Sequence, residues 1–452
     1  MTRWHLTSTP YKVQTEALKS SDHERGWAYF MEMGLGKTAV CWSEFIDLYG
    51  RDVVEYMIVV CPNSLKSNWI AEAAKQGVAG VDCTIWPAQP SSGVKMTAVN
   101  YEALLTKNGQ SILPKILDQH KVYLVFDESI HLKNPQAKRT KLAINLSKSA
   151  AVVRVLSGAP VTKSPMDLWG QLKVIGKTGK LNPYAFRNHF CVMGGYLGKQ
   201  IVGGRNEDEL EAVLSASSFR AKKKDWTDLP EKSFTVREYK MTKGQQDLYD
   251  TMHRDFMISL NNDTITAPMA ITQAMKLQQI SSGFIIDEER FTHALVENKN
   301  NPKLQLLQDV IEEAGNKVLV FAFYRRTIQS LLDTFPGCTY IVGGMKDEDI
   351  EEQKRLFNET EANPMICQIS AAKYGHTLLG TESLPCHTSV FYENNYDLDA
   401  RLQSEDRNHR HGQKHAVGYI DFIGTSMDKK VITALVKKQS IANAIMLGGS
   451  DE

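Results

Sequence analysis

Three stretches of this chain hold side chains whose type and spacing could do chemistry. The first, "FMEMGLGKTAV", contains Gly34-Leu35-Gly36-Lys37-Thr38. Glycines at this spacing let backbone N–H groups approach phosphate oxygens. A lysine placed there reaches the β- and γ-phosphates, and the threonine hydroxyl can hold Mg²⁺. Met31 stands where the usual pattern has its first glycine, so the strict form is not met. The second stretch is Asp127-Glu128, directly after the apolar run Val122–Phe126. A carboxylate at a strand's C-terminal end suits a Mg²⁺-bridging role, and the next glutamate can orient or deprotonate an attacking water. The third, "RLQSEDRNHRHGQKHA" at 401–416, crowds His409, His411 and His415 among Arg401, Arg407, Arg410 and Lys414. Three readings fit it: a solvated helix face, a metal site built from the histidines, or arginines aimed at an anion.

Chemistry of the first two kinds needs strands that end at a common edge. Apolar runs at 56–61, 96–100, 122–127 and 152–157 read as buried parallel strands, with amphipathic segments such as 64–75 and 137–148 between them. The rhythm returns at 317–323, 339–342, 365–370, 389–393 and 417–423. Alternating strands and helices predict two parallel-sheet α/β domains. The stretch from about 170 to 300 lacks this rhythm. Its Gly-rich "MGGYLGKQIVGG" is expected to turn or form a small hairpin, and 243–261 and 267–281 read as long helices. No tandem repeat or low-complexity tract is present.

Bulk properties bound the partners. A chain of 452 residues exceeds one hydrophobic core. Its 53 Lys and Arg against 52 Asp and Glu leave a net charge of +1, so any nucleic-acid surface must be a local basic patch. The 7 cysteines form no C-x-x-C pair, which argues against a disulfide framework or zinc ribbon and for a reducing compartment. No signal-like segment opens the chain, and no apolar run approaches the roughly 18–20 residues of a membrane span. A cytoplasmic, nucleoid-associated protein is expected.

With these residues in view, the chain resembles superfamily-two helicases of the SWI/SNF-like branch over nearly its whole length. Gln14 in "PYKVQTEAL" matches that branch's adenine-reading glutamine, and "MGLGKT" its motif I. "CPNSLKSNW" and "NYEAL" resemble motifs Ia and Ib, "DESIHLKN" motif II, and "LSGAPVTKSPMDLW" motif III with its sequel. "KKKDWTDLPEKS" and "MTKGQQDLY" resemble the passage into a second motor domain, which "NPKLQLL" and "VLVFAFYRRTIQSL" would open. "SAAKYGHTL" resembles motif V and "QSEDRNHRHGQ" motif VI.

The resemblance implies two tandem RecA-like motor domains, at 1–170 and 301–452, with a mainly helical insertion and linker at 171–300. It implies that ATP binds through Gln14, Gly34, Leu35, Gly36, Lys37, Thr38 and Gln403, and Mg²⁺ through Thr38 and Asp127. Lys37, Glu128, Arg407 and Arg410 would then be catalytic, the arginines facing ATP held by the other domain; their spacing of three is expected to put both on one helix face. Duplex backbone contacts are expected from Ser64, Lys66, Asn68, Tyr101, Lys163, Tyr324, Arg325 and Thr377. Lys222-Lys223-Lys224 reads equally as a DNA contact or a solvated helix end. Trp69 reads as core, and His409 and His411 as solvent- or DNA-facing.

Two departures from the branch stand out. Ile130 occupies the position where the motif II histidine is common, with His131 beside it, and motif III reads Ser-Gly-Ala-Pro in place of Thr-Gly-Thr-Pro. That histidine links nucleotide state to motif III, so its replacement opens the question of how the two are coupled here. The resemblance implies a DNA-dependent ATPase, translocating on double-stranded DNA and remodelling branched DNA by branch migration or fork regression in recombination, replication or repair. With no nucleosome-recognition module in view, it reads as a bare motor of phage or bacterial type. Two alternatives remain: an RNA- or transcription-complex-directed motor, and a DNA-binding scaffold switched by ATP without turnover.

Overall fold

The computed structural model describes residues 9–22, 24–78, 81–90, 93–194, 198, 200–261, 267–371 and 377–447. They fall into two compact units, one of 1–228 with 438–452 and one of 229–437.

In the first unit the chain runs α1 (Lys12–Ser20), β1 (Gly26–Met31), α2 (Lys37–Gly50), β2 (Tyr56–Cys61), α3 (Lys66–Lys75), β3 (Val81–Ile85), β4 (Val94–Asn100), α4 (Lys107–Gln119) and β5 (Val122–Phe126). It continues with α5 (Lys138–Ser149), β6 (Val152–Leu156), α6 (Asp167–Val174), α7 (Pro183–Phe190), β7 (Cys191–Gly194), β8 (Gln200–Gly204), α8 (Glu207–Ser215), β9 (Ser218–Ala221) and α9 (Lys223–Trp226). Seven strands form one sheet in the order β3-β4-β2-β5-β6-β1-β9, with every pair parallel. Strands β1, β2, β5 and β6 are buried at every position, because helices cover both sheet faces. Apolar cores lie on each face. β7 and β8 form the expected hairpin from the Gly-rich stretch.

The second unit holds β10 (Lys232–Glu238), α10 (Lys243–Asn261), α11 (Ala267–Ser282), β11 (Phe284–Ile286), β12 (Thr292–Ala294), α12 (Pro302–Ala314), β13 (Lys317–Ala322) and α13 (Arg325–Thr334). Then follow β14 (Thr339–Ile341), α14 (Asp347–Glu359), β15 (Met365–Gln368), β16 (Cys386–Phe391), α15 (Leu398–Glu405), β17 (Val417–Ile423) and the start of α16 (Ser426–Leu447), whose residues from 438 on belong to the first unit. Six strands form a second parallel sheet, β10-β17-β16-β13-β15-β14. It too is covered on both faces. Helix starts follow local chemistry: Asn301 accepts from the Lys303 N–H at 3.0 Å and Pro302 opens α12.

The strand and helix periods predicted from sequence therefore form two parallel-sheet units. Two sheet members come from the stretch that lacked a strand rhythm. β9 and β10 each join a sheet edge by pairing with one neighbour, and β10 is largely exposed, so its polar side chains carry no burial pattern. Among the described residues no helix is long and apolar enough to cross a membrane.

Candidate nucleotide and DNA sites

β1, β6 and β5 lie side by side, so the loops that leave their C-terminal ends share one edge of the first sheet. After β1 the chain turns through Gly34 (φ 86°) and Gly36 (φ 81°) into α2. Both are left-handed conformations that favour glycine. A Cβ on Gly36 would lie 2.1 Å from Gln14 Nε2, so the predicted adenine-side glutamine packs directly on the loop. Gln14 is buried, and its Oε1 accepts the Tyr11 N–H at 2.9 Å. The Leu35 side chain is sunk in the core and anchors the loop from below. Lys37 folds back to donate to the Met31 carbonyl at 2.8 Å, and Thr38 follows it in the first turn of α2. The four-turn α2 presents unpaired N–H groups and a positive dipole end there.

Asp127 and Glu128 emerge from β5. Asp127 is buried, and burial raises its carboxyl above the usual range; the Trp69 indole, the Lys37 charge and the Glu128 N–H pull against that rise. Trp69 Nε1 donates to Oδ2 at 2.9 Å and the Glu128 N–H to Oδ1 at 2.9 Å. Trp69 is held in turn by Trp42 of α2, whose Nε1 donates to the Trp69 carbonyl at 3.1 Å. Trp69 is thus core, as expected, and also orients Asp127, a role that its spacing in sequence does not signal. Glu128 has φ 49° and ψ 54°, a left-handed backbone that a non-glycine residue keeps only when its neighbours over-determine it.

After β6, the loop of the Ser-Gly-Ala-Pro stretch is capped by Asp167, whose Oδ2 accepts from the Thr162 and Lys163 N–H groups at 2.9 and 2.8 Å. Lys163 is exposed, and Lys133 Nζ reaches Thr162 Oγ1 at 3.4 Å. Ile130 is buried, and the exposed His131 lies over the Tyr101 ring at 5.0 Å.

Several expected residues sit elsewhere than their reading implied. Tyr101 is buried, and its hydroxyl donates to the Asp127 carbonyl at 2.9 Å, so it supports the carboxylate turn and is not open to a DNA phosphate. Tyr324 is buried as well. Its ring edges on Phe284 and its hydroxyl donates to the Met275 carbonyl at 3.3 Å. Five of the other expected DNA contacts remain accessible, whereas the Ser64 hydroxyl is buried. Asn68, Lys163, Arg325 and Thr377 are exposed, and Ser64 and Lys66 half-buried. In the lysine triplet, Lys223 is buried, with its N–H bonded to Glu32 at 2.7 Å and its Nζ 3.9 Å from where a Gly34 Cβ would be. Most of "SAAKYGHTL", 372–376, lies outside the described residues.

The 401–416 stretch is helical only to Glu405. Arg407 and Arg410 follow in turns and do not share a helix face. The reason is local: Asn408 donates to Ser389 Oγ at 3.0 Å and Gln413 to the Cys386 carbonyl at 2.9 Å, so the chain is drawn out of the helix onto β16. Arg407 is buried with Nε donating to the Gln403 carbonyl at 2.7 Å. Arg410 is half-buried and donates to Thr377 Oγ1 at 3.0 Å. Gln403 is buried, its amide donating to Asp399 at 3.0 Å. The histidines diverge. His409, expected to face solvent or DNA, is buried with Nε2 2.8 Å from the Pro230 carbonyl; His411 is exposed; His415 lies beside His387. Among the described residues no group of His, Cys, Asp and Glu is arranged to hold a metal ion.

A model of the SNF2-related domain matches residues 11–284. The chain is 26% identical over 464 residues to the transcription regulatory protein SNF2 of Saccharomyces cerevisiae, covering 92% of this chain and 26% of that protein. It is 25% identical over 420 residues to the SWI/SNF-related matrix-associated actin-dependent regulator of chromatin subfamily A-like protein 1 of Xenopus tropicalis, covering 88% of this chain and 41% of the relative. Putative protein p41 of Acyrthosiphon pisum secondary endosymbiont phage 1 is 24% identical over 329 residues, 67% of this chain and 70% of p41. The first two relatives are thus much longer than this chain. Among solved structures, the Sulfolobus solfataricus SWI2/SNF2 ATPase core in complex with dsDNA aligns over 100% of this chain and 96% of its own, at 20% identity and a TM-score of 0.44. The domain match spans more than half of the chain and includes the Gly34–Thr38 loop and the Asp127-Glu128 turn, so the chain belongs to the SNF2-related domain family.

Proposed function

We propose that this chain is an ATP-driven translocase on double-stranded DNA that remodels branched or protein-bound DNA, by branch migration or fork regression. The observation that carries the ATP half is the shared sheet edge. It brings the Lys37 loop, packed on Gln14, to the same side as a buried Asp127 held by Trp69. In this reading the backbone N–H groups of 34–38 and Lys37 bind the β- and γ-phosphates. Thr38 and Asp127 fit a Mg²⁺ ion, a hydroxyl and a carboxylate being its preferred donors, and the ion would neutralise charge on the phosphates. Glu128 orients the attacking water and accepts its proton. The half-buried Arg410 engages the γ-phosphoryl group, while the buried Arg407 holds the motif in shape. Gln403 would contribute its side-chain amide oxygen Oε1, which is buried and has no hydrogen-bond partner among the described residues.

The DNA half is supported by family membership and by the exposed Asn68, Lys163 and Arg325, whose amide and cationic groups suit backbone contact without base reading. The deciding experiment is steady-state ATPase activity with blunt duplex, forked duplex, four-way junction, single-stranded DNA and RNA. Greatest stimulation by forks or junctions is expected. Stimulation by RNA alone would point to an RNA-directed motor, and ATP binding without turnover to a switched scaffold.

A further inference from the structure

Gln171 takes no part in the chemistry above, yet it is fully buried in the middle of α6. A core-facing amide is costly unless each of its groups is paired. Here Oε1 accepts from Ser129 Oγ at 2.7 Å, and Nε2 donates to the Pro160 carbonyl at 2.7 Å and the Asp167 carbonyl at 2.9 Å. Ser129 is itself buried and directly follows Glu128. Pro160 lies in the loop that carries Thr162 and the exposed Lys163. One side chain therefore bridges the turn of the water-orienting carboxylate and the loop proposed to meet DNA. The neighbouring Gly170 makes this reach possible, because a Cβ there would lie 2.0 Å from the Leu132 carbonyl. Helix α6 is thus packed backbone-to-backbone on the 129–132 turn. The position that could carry a linking histidine holds the apolar Ile130, and His131 turns to Tyr101.

We infer that Gln171 is the positioning residue that couples the 157–163 loop to the Asp127-Glu128 turn, so that DNA held at the loop aligns Glu128 for attack. The inference rests on the proposed function. Movement of the Pro160 carbonyl pulls the amide, and Ser129 passes the displacement to Glu128, whose left-handed backbone has little freedom to absorb it. A leucine of similar volume would fill the space and tie nothing together.

The test is ATPase kinetics of the full chain with and without duplex DNA, for Gln171→Leu, Gln171→Glu and Ser129→Ala, with thermal unfolding of each preparation. Leucine at 171 should lower DNA-stimulated kcat about tenfold, with ATP KM and DNA affinity held within about twofold, the pattern of a lost transition-state alignment. Gln171→Glu keeps an acceptor for Ser129 but, when ionised, loses both donors. Its stimulation relative to wild type should rise as pH falls and the carboxyl regains a proton. Wild-type stimulation in both Gln171 variants overturns the inference. So does a loss that scales equally across stimulated turnover, unstimulated turnover and unfolding temperature, which marks a purely structural role. If the Gln171 variants do not fold, Ser129→Ala decides, since it cuts the same bridge by deleting one hydroxyl; wild-type stimulation there overturns the inference. Absence of DNA-stimulated turnover in the wild type overturns the proposed function itself, and is seen before any substitution is made.

Discussion

At the scale of single residues, the proposed roles separate groups that bind from groups that act late. The Lys37 ammonium donates to the Met31 carbonyl and faces the Asp127 charge, so Lys37→Ala should abolish ATP turnover while the fold and DNA binding persist. Circular dichroism and a DNA titration beside the ATPase assay check this; near wild-type turnover would refute the phosphate-loop assignment. Arg410→Ala should reduce kcat by roughly 10³–10⁵ with little change in nucleotide affinity, because arginines of this kind act mainly on the transition state. Arg410→Lys should rescue poorly, since an ammonium cannot make the planar two-pronged contact. The exposed His411 should tolerate alanine without loss of turnover. The buried His409, bonded to the Pro230 carbonyl, should cost stability when truncated. Added zinc or a zinc chelator should change none of these rates.

At the scale of elements, one buried carboxylate clamps the helix that begins at the phosphate loop. Glu44 of α2 accepts from Arg154 of β6, with Nη2 2.5 Å from Oε1, from Tyr29 of β1 at 3.0 Å, from Tyr123 of β5 at 2.7 Å and from Ser21 at 2.8 Å. The three strands that deliver the site loops are therefore tied to α2 beneath the site. Arg154→Met should destabilise the first unit by about 3–5 kcal/mol, because an uncompensated carboxylate is left buried among three hydroxyls. Glu44→Leu combined with Arg154→Met should recover much of that loss. Chemical denaturation of wild type, single and double variants measures it. Equal stability of Arg154→Met and wild type would show that the pair carries no structural load.

At the scale of the whole molecule, a net charge of +1 leaves no long-range attraction for a polyanion, so DNA binding must come from local contacts. Affinity for duplex DNA should then fall steeply with salt, by about 0.9 in log K per log unit of salt for each phosphate contact, and depend little on base sequence. Lys163→Ala and Arg325→Ala should each make that slope shallower by about one contact. A strong preference for one sequence, nearly independent of salt, would sink backbone tracking. Fluorescence anisotropy across a salt series with two unrelated duplexes is sufficient.

The sequence by itself determined the strand-and-helix rhythm of both sheets, because fully buried parallel strands such as β2 and β5 must be apolar at every position. It also singled out the Gly34–Thr38 loop and the Asp127-Glu128 turn as candidates, because glycines at that spacing from a lysine suit a tight backbone turn, and both Gly34 and Gly36 adopt one. Tertiary structure alone decided how those groups are held. Trp69 and Tyr101 read as a core residue and a DNA contact; both turn out to hold Asp127, since an aromatic side chain carries a polar tip whose partner lies far away in sequence. The edge strands β9 and β10 are short or exposed and leave no burial period to read. Arg407 and Arg410 have a helical spacing in sequence, yet Asn408 and Gln413 dock on β16 and draw them into turns. Gln171 is one of three polar residues in the eight of α6, and its bridge exists only where α6 closes on two loops at once.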